Sequence, residues 1–141
     1  MATSVSVTFS VGTNLGDRGA NIHNALALLD SYMRSHYIAL SPIIETEACG
    51  FDGPPFLNCV VRYRSARSPE SILTICKRIE REMGRTDGPE WDAAGNRIYH
   101  NRIIDIDILT YGKKEIHTES LTIPHPQIYT RPFIKELLLL L

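Results

Sequence analysis

The chain has little that would suit it to a specialised environment. Its cysteines are few: Cys49, Cys59 and Cys76 form an odd set without CxxC spacing. That speaks against a disulfide framework or a thiolate zinc site and for reduced thiols. No apolar run approaches the roughly 20 residues of a membrane span, and the terminal "LLLLL" is far too short. Neither sign of charge dominates. Lys and Arg number 15 against 16 Asp and Glu, a net charge of −1, so no bulk basic field recruits nucleic acid. The opening "MATSVSVTFSVG" lacks the charged first segment of a signal peptide and alternates like a strand, so a cytoplasmic location is expected. Walker A and GxGxxG patterns are both missing, and a bound nucleotide must be held without those glycine-rich cradles. Internal repeats and low-complexity segments are absent too.

What remains is ordinary: 43% apolar and 22% charged residues over 141 positions, the make-up and size of one globular domain, residues 1–141. "SVSVTFSVG" alternates, placing Val5, Val7, Phe9 and Val11 on one strand face. Ile22, Ala25, Leu26, Leu29 and Met33 follow helical spacing after the turn "TNLGDRG". "YIALSPIIET" is extended but interrupted by Pro42, which marks an edge or a bulge. "FLNCVVRYR" alternates again, with Leu57, Cys59, Val61 and Tyr63 opposed to Phe56 and Asn58. Ser68 caps a second helix that has Pro69 at its first position, a stripe of Ile72, Ile75, Cys76, Ile79 and Met83, and Gly84 at its end. A long loop follows, then the strand "NRIIDIDILTY" and a proline-punctuated tail with a short strand and a short helix. The order strand, helix, strand, strand, helix, strand predicts an α+β, ferredoxin-like βαββαβ fold. Its antiparallel sheet should carry the helices on one face, with an extra C-terminal hairpin or helix.

Asp105 and Asp107 pose the chemical question, because they interrupt an otherwise apolar strand. Alternation sends both to one face and leaves Ile104, Ile106 and Ile108 for the core. Two carboxylates at that spacing repel unless a cation lies between them. Hard oxygen ligands suit Mg²⁺, which completes its shell with water and phosphate oxygens. Pairing with nearby arginines on a solvated face is the alternative. Arg85, Arg97 and Arg102, with Trp91 and Tyr99, lie in or beside the long loop. Metal and arginines together are the equipment of phosphoryl transfer. The loop from Gly84 to Asn101 is either a solvated connection or a lid closing over substrates. His125, between two prolines, is either a packing residue or part of a site, and Asn58 is either exposed or reads a polar ligand edge. A non-catalytic module binding nucleotide or metal as a regulatory ligand is the competing function, since this fold alone implies no chemistry.

Several segments together resemble the hydroxymethyl-dihydropterin pyrophosphokinases of folate biosynthesis: "SVGTNLGDR", "FLNCVV", "RIEREMGR", "NRIIDIDIL" and "LTIPHPQIYTRPF". They run in family order from about residue 5 to residue 133. The resemblance implies a ferredoxin-like fold and transfer of pyrophosphate from ATP to the hydroxymethyl oxygen of a reduced pterin, with release of AMP. It implies two Mg²⁺ ions held by Asp105 and Asp107, and charge stabilisation by Arg85 and Arg102. His125 and Arg131 match triphosphate contacts, and Leu73, Ile108 and Thr122 match nucleotide contacts. Thr46, Phe56, Asn58 and Phe133 match the pterin pocket, while Glu80 matches an acid to which the resemblance assigns no role. Ser120 stands where an arginine is frequent, and the segment between Arg85 and Arg102 is longer than usual. The expected partners are ATP and the pterin alone, with no nucleic acid or membrane, acting on a monomer.

Overall fold

The computed structural model describes residues 3–48, 53–84, 90–91, 94, 97–98 and 102–141. Its centre is β1 (Val5–Thr13). β4 (Phe56–Ser65) runs antiparallel along one side of β1, with Val11 opposite Cys59 and Gly12 opposite Asn58. β7 (Asp105–Tyr111) runs antiparallel along the other, with Gly12 opposite Asp105 and Ser10 opposite Asp107. β2 (Ala39–Leu40) and β3 (Ile44–Thr46) both pair with β4. The sheet order is therefore β2 or β3, β4, β1, β7. The crossovers α1 (Arg18–Met33) and α2 (Pro69–Glu82) complete the ferredoxin-like βαββαβ arrangement that the element order predicts.

Local chemistry sets the helix starts. Asp17 accepts the Ala20 N–H at 3.1 Å and caps α1. Ser68 accepts the Ser71 N–H at 3.1 Å and caps α2, with Pro69 beside it as anticipated. The spaced apolar residues of α1 and α2 pack with Val7, Phe9, Val11, Cys59, Val61 and the isoleucines of β7 in the main core. Tyr63, fully buried there, donates its hydroxyl to Asp30 of α1 at 2.5 Å. Cys59 and Cys76 are buried free thiols, and burial pushes the Cys59 thiol up to about 12. Cys49 lies outside the described residues.

Three features depart from the strand alternation. β1 is buried on both faces, Thr8 and Ser10 included. The second face is covered by α4 (Pro132–Leu139), whose Ile134 and Leu137 pack on Val60 and Leu109. The two crossover helices thus share one face and the terminal helix covers the other. Leu109 reaches that second core by alternation with Asp105 and Asp107, and the register shift between Phe9, opposite Ile108, and Thr8, opposite Thr110, then keeps Thr110 on the same face, beside Thr8. At Pro42 the second strand splits in two, and Ser41 fills the gap by accepting the Val60 N–H on its hydroxyl at 2.9 Å. Within the long connection before β7, β5 (Glu90–Trp91) and β6 (Arg97–Ile98) form a small antiparallel ladder. Two-residue strands carry no periodicity, so the sequence reads there as loop alone. The tail holds a hairpin of β8 (Ile116–His117) and β9 (Thr122–Ile123), then α3 (Gln127–Thr130).

Ile134→Ala should lower urea-unfolding stability by about 2–4 kcal/mol. It should also speed amide exchange over Gln127–Thr130, because the second core anchors that segment. Ile22→Ala should have a similar energetic effect without the local change. Equal exchange in the two variants would contradict the separate roles of the two cores.

Candidate active site

The acidic face follows from the register of the central strands. Ile104, Ile106 and Ile108 enter the main core, so Asp105 and Asp107 project from the opposite face. Asn58, Gly12 and Asp105 lie in one row across β4, β1 and β7. Gly12 is the centre of that row because nothing larger fits: an added Cβ would stand 2.8 Å from Asn58 Oδ1 and 3.7 Å from Phe56 Cδ1. Asn58 is buried and donates from Nδ2 to Thr46 Oγ1 at 2.6 Å. Thr46 lies directly opposite Phe56 on the β3–β4 ladder. Thr46, Phe56 and Asn58 are therefore brought together beside the acidic pair. Phe133, from α4, packs against the second core on the same face of the sheet.

Among the described residues β7 is an edge strand, and its free side is met by side chains and loop backbone rather than by another strand of the sheet. Glu80 of α2, almost wholly buried, accepts the Ile106 N–H on Oε2 at 2.9 Å. A third carboxylate therefore sits behind the peptide that separates the two aspartates. The His125 N–H donates to the Leu109 carbonyl at 2.9 Å and docks the proline-rich segment on the same edge.

Electrostatics single out Asp107, whose side chain is only 26% exposed. Burial, then the charge of Asp105, then that of Glu80 push its carboxyl up to about 8, while the hydrogen bond from Gln127 acts in the opposite direction. Gln127 Nε2 donates to Asp107 Oδ2 at 3.1 Å, and Gln127 Oε1 accepts from Arg131 Nη1 at 3.3 Å. His125 Nε2 lies 3.9 Å from Asp107 Oδ1. The His125 Nδ1 accepts the Gln127 N–H at 3.1 Å, which assigns the neutral ring's proton to Nε2. Burial lowers the His125 pKa most; Asp105 acts against it, and Arg131 lowers it a little further. The Arg131 guanidinium lies 5.2 Å from the Phe133 ring centroid and so touches both halves of the site.

Arg102 is fixed through its backbone. Its N–H donates to Asn14 Oδ1 at 2.7 Å, and its carbonyl accepts the Asn14 N–H at 2.9 Å. Asn14 is buried, and its Nδ2 donates to the Pro54 carbonyl at 3.1 Å, joining Arg102 to the segment that leads into Phe56. Leu73 and Ile108 stand apart from the acidic face, since both pack into the main core on the helix side. Thr122, on β9, borders β7. Arg85, Tyr99 and the side chains of Trp91 and Arg97 lie outside the described residues, as does most of the anticipated lid. Gly12, Asn14 and Gln127 carry no role in the sequence reading. Only Gly12 left a signal, as a glycine inside an alternating strand, which marks close approach of another group.

Among the described residues no group of three or more His, Cys, Asp or Glu converges on one point that could hold a metal ion. The chain offers a pair of hard oxygen donors, with no soft donor beside them. Such a pair suits a cation that draws its remaining ligands from water and phosphate. The raised Asp107 pKa, caused first by burial and then by the charges of Asp105 and Glu80, marks a carboxylate whose ionised form a bound cation would favour.

The chain is similar to known proteins along most of its length. Residues 8–141 match the family model of 7,8-dihydro-6-hydroxymethylpterin-pyrophosphokinase. A Porphyromonas gingivalis 2-amino-4-hydroxy-6-hydroxymethyldihydropteridine pyrophosphokinase is 41% identical over 131 residues, covering 92% of this chain and 85% of that protein. The Bacillus subtilis protein of the same name is 34% identical over 126 residues, 89% of this chain and 71% of its own length. A mitochondrial folate synthesis bifunctional protein of Pisum sativum is 40% identical over 129 residues, 91% of this chain but 23% of that longer protein.

In metal-free protein the Asp107 carboxyl should titrate near pH 8, and Asp105→Asn should move it down. An unfolded aspartate titrates at about 3.9. The stability contributed by this group is therefore complete below that value and is lost as pH rises through about 8. Carboxyl carbon shifts followed by NMR read the midpoint directly. A midpoint at about 4 in both proteins would contradict the crowding of charge at this face.

Proposed function

The chain belongs to the 7,8-dihydro-6-hydroxymethylpterin-pyrophosphokinase family, and from that membership we propose how its residues divide the work. It is a pyrophosphokinase of folate biosynthesis with ATP as co-substrate, and it passes the pyrophosphoryl group to the hydroxymethyl oxygen of 6-hydroxymethyl-7,8-dihydropterin, releasing AMP. In that transfer the pterin oxygen forms a bond to the β-phosphorus. The bond from that phosphorus to the α–β bridging oxygen breaks, and AMP leaves. One observation carries the assignment of roles: the acidic pair of β7 and the Asn58–Thr46–Phe56 pocket share one sheet face, one strand apart.

Asp105 and Asp107 are the Mg²⁺ ligands in this reading, with two ions completed by oxygens of ATP and water. The fit rests on the hard donor set and on the charge deficit at Asp107. Bound Mg²⁺ supplies charge neutralisation on the phosphates and lowers the pKa of the attacking hydroxyl. The protein's own groups do the rest. Neutral His125 presents its Nε2 proton to the phosphates, and Arg131 adds a permanent charge beside it. Arg102, clamped by Asn14, and Arg85 stabilise charge on the transferring group. Phe56 and Phe133 stack on the pterin, and Asn58 reads its hydrogen-bonding edge. Thr122, beside β7, contacts the nucleotide base in this reading; Leu73 and Ile108 are assigned to the same contact by the family resemblance, although both pack into the main core. Holding acceptor and donor on one rigid sheet face replaces a bimolecular encounter by an oriented one.

Residues 1–141 act in this proposal as one domain, monomeric and cytoplasmic, with small molecules as sole partners. The near-zero net charge is in keeping with that. Among the described residues no helix is long and apolar enough to cross a membrane.

AMP should appear only when ATP, Mg²⁺ and the reduced hydroxymethylpterin are all present. AMP release without the pterin, or undiminished turnover with a chelator, would refute the reading. Asp105→Asn and Asp107→Asn should each lower kcat by about 100-fold or more while the circular dichroism stays unchanged. The two substrate sites should also separate. Asn58→Ala and Phe133→Ala should weaken pterin binding by about 1–3 kcal/mol and leave nucleotide affinity nearly unchanged. Equal losses for both ligands would point to a folding defect instead.

A further inference from the structure

We propose that Gln127 is a positioning residue: a neutral spacer that orients Asp107 and keeps the Arg131 guanidinium from pairing with it. The inference rests on the reading of Asp107 as a metal ligand and Arg131 as a phosphate contact. It concerns a residue to which the family resemblance gives no part.

Four hydrogen bonds converge on this one residue. Its Nε2 donates to Asp107 Oδ2 at 3.1 Å, and its Oε1 accepts from Arg131 Nη1 at 3.3 Å. Its backbone N–H holds His125 Nδ1 at 3.1 Å, and its carbonyl accepts the Arg131 N–H at 2.9 Å. The backbone pair fixes where the side chain starts, and the amide then has an acidic neighbour at one end and a basic neighbour at the other. A primary amide satisfies both, because its nitrogen only donates and its oxygen only accepts. Asn is one methylene too short to span the two, and a carboxylate or an amine has the wrong polarity at one end.

The spacer matters because of what it separates. Asp107 shares its strand face with Asp105, and Glu80 stands behind the intervening Ile106 N–H, so a cation within reach is drawn to this acidic cluster. Arg131 is a permanent cation placed four residues along the same short helical turn. A direct pair between them would neutralise the carboxylate that the metal needs and withdraw the arginine from the phosphates. Gln127 donates to Oδ2, while Oδ1 lies 3.9 Å from His125 Nε2. On the far side, the Phe133 ring holds the guanidinium in place by stacking. Hydrogen bonds of this kind to a metal-binding carboxylate are worth about 10–100-fold in metal affinity.

The test uses Mn²⁺ alone, without nucleotide, so that the phosphate role of Arg131 does not enter. Free Mn²⁺ is counted by electron paramagnetic resonance for the parent chain, Gln127→Met, the double variant Gln127→Met/Arg131→Met, and Asp107→Asn. We expect Gln127→Met to weaken Mn²⁺ binding about tenfold and the double variant to recover most of the loss. Pterin affinity should stay unchanged in Gln127→Met, and kcat should fall more than KM for ATP rises. A misfolded or loosened α3 would not be repaired by removing a second side chain, so recovery in the double variant distinguishes spacing from mere stability. Unchanged Mn²⁺ affinity in Gln127→Met, or a loss that persists in the double variant, would overturn the inference while leaving the metal site standing. If Asp107→Asn binds Mn²⁺ as tightly as the parent chain, the metal assignment itself fails and the inference with it.

Discussion

Repulsion between Asp105 and Asp107 is the constraint around which the rest of the molecule is arranged. Alternation along β7 forces the two carboxylates onto one face, and Glu80 adds a third from behind through the Ile106 N–H. A free surface would relieve this by hydration. Here the surrounding chain denies that relief to Asp107, and burial is the largest contribution to its raised pKa. Such an arrangement is unfavourable in the empty protein, and the cation proposed to bind here would relieve it, the behaviour expected of a functional face. What holds the aspartates in place is a strand edge closed by Glu80 and by the His125 backbone, so the scaffold and the charge problem share the same residues.

The proposed pterin half of the site depends on a different constraint, the absence of a side chain at Gly12. The central strand must pass between Asn58 and Asp105, and the 2.8 Å approach to Asn58 Oδ1 leaves room only for hydrogen. Asn58 is then locked to Thr46 and held in register opposite the strand centre. Asn14 performs the corresponding task one turn further on, tying the Arg102 backbone to Pro54. Two short-range devices thus fix Asn58 and the Arg102 backbone, the residues proposed to read the pterin edge and to stabilise the phosphates. Rigid strands carry both, which suits a reaction that works by placement.

Much of this was legible in the sequence, for physical reasons that differ by element. The helices α1 and α2 announce themselves by spacing and by the Ser68–Pro69 start, and the separation of Asp105 and Asp107 from the isoleucines follows from period two alone. Burial of Thr8 and Ser10 did not follow, because the cover comes from α4, far along the chain. The register shift that sets Thr110 opposite Thr8 is a pairing property, and one strand read alone does not contain its partner. Residues that act through geometry are hidden for the same reason. Gln127 looks like any polar residue after a proline until the fold brings Asp107 and Arg131 to its two ends. Arg85 was reached through the family resemblance, whereas Asp105 and Asp107 could be argued from chemistry first.

If the acidic pair is held against its own repulsion, removing one carboxylate should stabilise the empty protein as it disables the enzyme. The direct measurement is the thermal midpoint of the parent chain and of Asp105→Asn, both free of divalent metal, from about pH 6 to about pH 9. The account predicts that Asp105→Asn melts higher than the parent. The advantage should widen as pH rises through about 8, where Asp107 gives up its proton, and Mg²⁺ with ATP should stabilise only the parent. A variant that melts lower than the parent across the whole range, or one that Mg²⁺ and ATP stabilise as strongly as the parent, would contradict it.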